Sequence, residues 1–169
     1  LLMCLHNQTE PYEKEAGVSQ RLVERFTAML NDDFAKGESM GPKAIRKKMD
    51  EIVSAFAAVP VYKKDKVRVG IVGEIYVKFA PLGNNNLEAF LLKENAEPVV
   101  PGLLDFLLYT IDTGIEDYIR YGGKLLKPII TKYLMHVFTG IQKDIIRAIQ
   151  RAGCFHAPSR FIRTKVLAV

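Results

Sequence analysis

The sequence predicts an α/β fold in which a parallel sheet is flanked by helices and preceded by an N-terminal helical hairpin. Residues 66–73, KVRVGIVG, are short, apolar and rich in β-branched side chains, as in a strand buried on both faces. A helical pattern and a second short apolar run follow at residues 97–100. Strand, helix and strand in that order make a βαβ unit, which indicates a Rossmann-like sheet.

Two apolar stripes at helical spacing predict the hairpin. The first helix runs from Ser19 to Lys36 before Gly37, and the second opens at Pro42 and stops at Pro60. We therefore expect residues 1–60 to form a helical extension that packs on a Rossmann-like α/β domain at residues 61–169, the whole being one compact unit. The segment at residues 9–13 contains a proline and predicts a turn.

The remaining elements follow from helix signals. Asn84, Asn85 and Asn86 precede an apolar helical face, and asparagine is among the best N-cap residues. A helix is expected to begin near Leu103. The longest periodic stretch begins near Pro128 and ends before Gly153, and a glycine inside it, Gly140, is a place where it could kink.

Composition excludes several classes of function. The 169 residues are 49% hydrophobic and 25% charged, a globular profile. The net charge is +5, from 24 basic and 19 acidic residues, with basic groups at residues 46–48, 63–66 and 160–165. These lack the aromatic interleaving and the motifs of nucleic-acid binders, so we expect no nucleic-acid partner and, at most, attraction to a phosphorylated small molecule.

No apolar window is long enough for a membrane span, and no signal-peptide pattern is present at the start. Residue 1 is leucine, and residues 165–169 form an apolar run that stops abruptly, so we expect the chain to be a piece of a longer cytoplasmic protein. Cys4 and Cys154 are far apart and lack ligand spacing, so no metal site is expected. Either they are reduced structural thiols, or one joins a cluster whose other ligands lie elsewhere.

The predicted ligand- or partner-binding site lies just beyond the first strand. Glu74, Tyr76 and Lys78 form a loop there, and the asparagines 84, 85 and 86 begin the next helix. In open α/β sheets, ligands bind at this edge beside a helix N-terminus. The alternative is a capped helix with a solvated loop. Because G-x-G-x-x-G and P-loop motifs are absent, standard nicotinamide and ATP sites are excluded, and no catalytic residues are assigned.

The motif residues themselves carry a resemblance. Residues 67–87, VRVGIVGEIYVKFAPLGNNNL, and residues 98–109, PVVPGLLDFLLY, resemble the 2-hydroxyacyl-CoA dehydratase and activase-related family. Residues 10–13, EPYE, resemble its upstream RPYE segment, with glutamate in place of arginine. The resemblance extends from about Cys4 to Cys154.

The resemblance implies a Rossmann-like domain related to subunits that hold iron–sulfur clusters and eliminate water from 2-hydroxyacyl-CoA through a ketyl radical. A partner activase supplies a low-potential electron at the expense of ATP. In the dehydratase subunits the first strand is followed by Gly-Cys, whereas this chain has Gly73-Glu74. The departure implies that this chain has no cluster ligand at that position, and the ATPase motifs of the activase are absent as well.

We therefore expect an accessory domain that is not itself catalytic and has no cofactor of its own, with an iron–sulfur cluster only elsewhere in the full-length protein. Its expected partner is an ATP-dependent activase module or a dehydratase subunit. Two alternatives stay open: a small-molecule module for acyl-CoA or a nucleotide, and a purely structural interaction domain.

Overall fold

The computed structural model describes residues 1–38, 41–122 and 126–161. In chain order its elements are α1 (Leu2–Thr9), a 3-10 helix (Glu10–Tyr12), α2 (Val18–Lys36), α3 (Pro42–Ala57), β1 (Arg68–Gly70), α4 (Ile75–Phe79), α5 (Leu87–Lys93), β2 (Glu97–Val99), α6 (Leu103–Tyr121) and α7 (Leu126–Ala152). The apolar run at residues 165–169 and most of the basic segment at residues 160–165 lie outside the described residues.

The predicted Rossmann-like sheet is wrong. The described part of the chain is mostly helical, and its one sheet has two parallel strands of three residues each. Arg68 pairs with Glu97, and Gly70 pairs with Val99. The predicted order of strand, helix and strand is nevertheless observed, with the two short helices α4 and α5 in the connection.

The apolar run at residues 66–73 is buried on one side only, which explains the error. Ile71 is 4% exposed and packs with Leu91 and Val100, whereas Val72 is 78% exposed. A strand inside a Rossmann-like sheet has helices on both of its faces. The β-branched residues correctly indicated a strand, but they carried no information about a second covering layer.

The predicted helical hairpin is observed in α2 and α3. α2 ends at Gly37, whose φ of +68° suits a glycine C-cap, and α3 has Pro42 in its first turn. A largely buried ion pair between Asp33 and Lys48 joins the two helices. Apolar side chains of both helices are buried, among them Phe26 of α2 and Phe56 of α3.

The N-terminal segment is more ordered than the sequence indicated. The run that began with Leu1 forms a helix to Thr9, and the predicted turn at residues 9–13 is largely a 3-10 helix. Leu5 and Thr9 are buried, and the Thr9 hydroxyl donates to the Leu5 carbonyl at 2.7 Å. α1 packs on α2, α3 and β2 and therefore connects the helical hairpin to the sheet.

The chain divides into two compact units. Unit 1 contains Leu1–Pro101 and Ala148–His156. Within it, the Gln8 side chain donates to the His156 carbonyl at 3.0 Å and accepts from the His156 amide at 2.7 Å. Arg151 also pairs with Asp50 at 2.7 Å. These contacts join the last turn of α7 and the residues after it to the N-terminal half of the unit.

Unit 2 contains Gly102–Arg147 and the residues from Ala157 on. Here α6 and α7 run antiparallel, because Asp105 contacts Gln142 at 2.7 Å while Gly114 lies beside Thr131. α7 continues through Gly140 without a break and is followed by Gly153 with φ +72°, the predicted C-terminal glycine. None of the described helices combines the length and the apolar composition that crossing a membrane requires.

Candidate functional site

The predicted site begins at Glu74, where a short helix replaces the predicted loop. Glu74 is the N-cap of α4, and its carboxylate accepts hydrogen bonds from the backbone amides of Tyr76 at 2.9 Å and Val77 at 3.4 Å. These amides have no partner inside the helix. The acid that was predicted to face a ligand therefore stabilises the first turn of α4.

Tyr76 and Lys78 of α4 differ in their surroundings. The Tyr76 ring lies against Gly83, where an added Cβ would come within 2.8 Å of Cε1. The absence of a side chain at Gly83 therefore makes room for the exposed Tyr76 ring. Lys78 is buried, and its ammonium lies 4.7 Å from the centre of the Phe79 ring, which is cation–π distance.

The three asparagines form the turn before α5. Asn84 accepts a hydrogen bond from the backbone amide of Leu87 at 3.1 Å, whereas Asn86, the residue at the N-cap position of α5, makes no side-chain cap hydrogen bond. Asn85 and Asn86 both have a φ of 55°, a left-handed conformation that asparagine tolerates better than most residues do. At Asn85 and Asn86 the backbone conformation accounts for the residue type.

The structure brings α4 close to this turn, and the shared surface is apolar. Tyr76 contacts Gly83, and Val77 lies 3.9 Å from the position of a Cβ at Gly73. The neighbouring Val72 and Leu82 are exposed together with these two side chains. We refer to Val72, Tyr76, Val77 and Leu82 as the motif surface. It offers an apolar contact area to another molecule, but it contains no acid–base pair.

A second polar cluster was missed by the sequence analysis. Glu97 of β2 is buried, and its carboxylate accepts hydrogen bonds from the Tyr12 hydroxyl at 2.8 Å and the Arg68 Nε at 2.9 Å. Burial, followed by the hydrogen bond to Glu97 and the charge of Glu97, raises the pKa of Tyr12 to about 12. Lys66 lies above the Tyr12 ring at 5.5 Å from its centre.

This cluster joins two of the quoted segments to the residue that precedes the third. Tyr12 belongs to residues 10–13, Arg68 to residues 67–87, and Glu97 directly precedes residues 98–109. Glu13, the last residue of the first segment, accepts a hydrogen bond from the Ser19 amide at 2.9 Å at the start of α2. Apart from lying within or next to the three quoted motifs, these residues have no sequence signal that predicts their contact.

A third polar group surrounds His6 of α1. Its Nδ1 lies 3.0 Å from the Ser19 hydroxyl, and its Nε2 lies 3.3 Å from a Glu10 carboxylate oxygen. Burial raises the pKa of the nearby half-buried Glu88 above its ordinary value. The charge of His6 lowers this pKa, and the charge of Glu10 raises it further. A serine, a histidine and an acid form a chain here, but Ser19 is fully buried, so its hydroxyl is closed to a substrate.

The two cysteines are not joined by a disulfide bond. Cys4 is partly buried beside the Gln8 amide, and burial raises the pKa of its thiol, which disfavours the thiolate that binds metals. Cys154 is exposed. Within residues 1–38, 41–122 and 126–161, no three histidine, cysteine or acidic side chains are placed to hold a metal ion.

Comparison with known proteins adds no assignment to this geometry. No protein-family model matches the chain, and neither a curated protein nor a solved structure matches it.

Proposed function

We propose that this chain is an accessory domain of a cytoplasmic 2-hydroxyacyl-CoA dehydratase-like or activase-related protein, and that it contacts its partner through the motif surface. The partner is an ATP-dependent activase module or a dehydratase subunit. The exposed apolar character of the motif surface is the observation that supports this role. The role of the chain is therefore to dock a partner and not to catalyse a reaction.

The contrast between motif side chains that are engaged within the chain and those that are exposed supports docking. Glu74 and Asn84 use their side-chain oxygens on backbone amides of α4 and α5, and Lys78 is buried against Phe79. Three of the six polar candidates are thus engaged within the chain. Tyr76 and three aliphatic side chains face outward beside the exposed Asn85 and Asn86, and buried aromatic anchors typically dominate the energy of protein interfaces.

An iron–sulfur cluster does not fit the described residues. Clusters are held by about four thiolates, whereas this chain has Cys4 and Cys154 alone. The position where the family has cysteine is Glu74, which caps α4. In the proposal, the cluster and the ATPase belong to other parts of the system, and this domain holds its partner in place for electron transfer.

The test compares two exposed aromatic residues in the full-length protein. Tyr76 is 56% exposed on the motif surface, and Phe34 is 57% exposed on α2. Tyr76→Ser should weaken co-purification with the ATP-dependent activase at least about tenfold, the scale of a modest hot spot. Phe34→Ser should leave it unchanged, and both variants should melt close to the parent.

Equal binding by the Tyr76→Ser variant and the parent would refute docking through this surface. A thermal shift with acyl-CoA tests the ligand alternative, because a ligand that binds only the folded state raises the melting temperature. A rise that Tyr76→Ser abolishes would indicate a small-molecule site and would also overturn the proposal.

A further inference from the structure

The outer edge of β1 carries backbone groups that the fold does not use. The Ile71 amide donates to the Val99 carbonyl at 2.9 Å, and the Glu97 amide donates to the Val67 carbonyl at 2.8 Å. The odd-numbered residues of this strand therefore face β2. Since successive residues of a strand direct their backbone groups to opposite sides, Arg68 and Gly70 direct theirs away from β2.

These groups find no partner within the described residues. No backbone or side-chain hydrogen bond reaches the peptide groups of Arg68 or Gly70 from residues 1–38, 41–122 or 126–161. Unpaired edges of this kind are templates for another strand, and proteins usually block them with proline, a bulge, charged side chains or very short strands. β1 has no proline and no bulge, although it is three residues long and contains Arg68.

The other edge of the sheet is blocked. Pro98 is the central residue of β2 and faces away from β1 in the same alternation. Proline has no N–H to donate, and it is confined to edges where no further strand pairs. The sheet can therefore grow on the β1 side alone. A two-stranded sheet is marginal by itself, so an added strand would also stabilise it.

We propose that a second copy of this chain pairs its β1 antiparallel to this edge. The result is a four-stranded sheet in the order β2, β1, β1 of the second copy, β2 of the second copy. In this register, Arg68 lies opposite Gly70 of the second copy, and the two residues exchange both N–H···O bonds. The two-fold symmetry repeats the same pair on the other side of Val69, as an isologous contact requires.

The side chains at this edge suit that register. Gly70 has open space around it, with nothing within 4 Å of a Cβ placed there, so the Arg68 side chain of the second copy can lie over it. The charge of each Arg68 is already balanced by Glu97 at 2.9 Å. Two arginines near the two-fold axis therefore repel each other less than bare charges would.

The pairing also covers an exposed apolar residue. Val67 is 73% exposed, and in this register its backbone lies across from that of Ile71 of the second copy, whose side chain is buried in its own core. The apolar area gained by this pair is therefore that of Val67. A docked strand of another protein would need no match to this strand's own sequence, whereas a second copy supplies glycine opposite arginine.

The test measures association of the whole chain by sedimentation velocity over a wide range of concentration. We expect a reversible species with twice the mass of the 169-residue chain. Gly70→Pro removes one outward donor from each copy and leaves the bonds of Ile71 and Glu97 to β2 in place. It should raise the dimer dissociation constant about tenfold or more.

Val67→Lys is the second variant, because it changes an exposed side chain and does not depend on proline being accommodated. It should weaken the dimer to a similar extent. Its matched control is Ile119→Lys on α6, where the isoleucine is 74% exposed, and this should leave the dimer intact. A monomer at every concentration, or a dimer lost with Ile119→Lys but kept with Val67→Lys, would overturn the proposal.

Discussion

Single polar side chains in this chain connect segments that are far apart in sequence. Glu97 receives hydrogen bonds from Tyr12, 85 residues away, and from Arg68, 29 residues away. A buried carboxylate is costly unless it is paired and hydrogen-bonded. Glu97 therefore requires both partners, which makes its contacts sensitive to single substitutions.

Tyr12→Phe tests this contact. Loss of the hydrogen bond should lower the free energy of unfolding by about 1 kcal/mol, measured by urea denaturation. The pKa of Tyr12 is raised from 10 to about 12 in the folded state, so the neutral phenol is the form that stabilises the fold. Its contribution is complete below pH 10 and is lost as the pH rises through 12.

The difference in stability between the parent and Tyr12→Phe should accordingly shrink across that alkaline range. A difference that stays constant with pH would assign the effect to packing of the ring. Using the difference between the two proteins removes the contribution of other groups that titrate there.

Glu74 gives a second prediction at this scale. Glu74→Ala removes the cap of α4 and should destabilise the chain by about 1 kcal/mol. Glu74→Gln keeps a side-chain oxygen that can accept from Tyr76 and should cost less. Thermal unfolding of the two variants checks the order. If both melt with the parent, the carboxylate is not needed for α4, and a role outside the chain becomes the better explanation.

Whether the contacts of these residues can be predicted depends on how far apart the contacting residues are in the sequence. Glu74 and Asn84 accept hydrogen bonds from backbone amides within three residues; the sequence predicts a capping role for the asparagines, but a ligand- or partner-binding role for Glu74. The contacts of Glu97 and His6 could not be predicted, because the spacing of residues along one sequence does not reveal which distant segments meet.

Among the elements, β1 is followed directly by two neighbouring apolar residues in opposite environments. Ile71 is buried with Leu91 and Val100, whereas Val72 is exposed. Ile71→Asp should cost several kcal/mol, because it places a charge in an apolar core. Val72→Asp should cost much less, since water reaches that side chain. Chemical denaturation of both variants measures the contrast.

Equal loss of stability in these two variants would mean that the strand is covered on both faces, as the sequence originally indicated. A folded Ile71→Asp variant with the parent's melting point would instead remove Ile71 from the core.

Helices with long periodic stripes were predicted well. The hairpin of α2 and α3, the start of α6 and the end of α7 all follow from apolar spacing, proline and glycine. α1 was missed because eight residues hold too few apolar positions for a period to emerge. α4 was missed because its residues, IYVKF, favour strands by propensity, while the Glu74 cap favours a helix.

At the scale of the whole molecule, the predicted fold class is wrong because a Rossmann-like sheet needs more strands than the described residues supply. The βαβ order was observed, but each strand has three residues and no other strand joins them within the described residues. Local propensity indicates a strand, whereas the number of strands in a sheet depends on the contacts of the complete fold.

The composition of the whole chain also predicts its metal content. Because two cysteines cannot supply the roughly four thiolates of a cluster, we expect the chain purified without oxygen to contain no stoichiometric iron and sulfide. Chemical iron and sulfide analysis after attempted reconstitution checks this. A cluster at full occupancy that disappears with Cys154→Ala would contradict it.

The contact between Gln8 and His156 has a consequence for folding during synthesis on the ribosome. These residues are 148 positions apart, and a ribosome makes Gln8 long before His156. Unit 1 is interrupted in sequence by unit 2, so it cannot close until α7 has been translated. Closing so long a loop costs entropy and slows folding. The helices of unit 2 can form first. Until unit 1 closes, the N-terminal helices expose apolar surface that chaperones can bind.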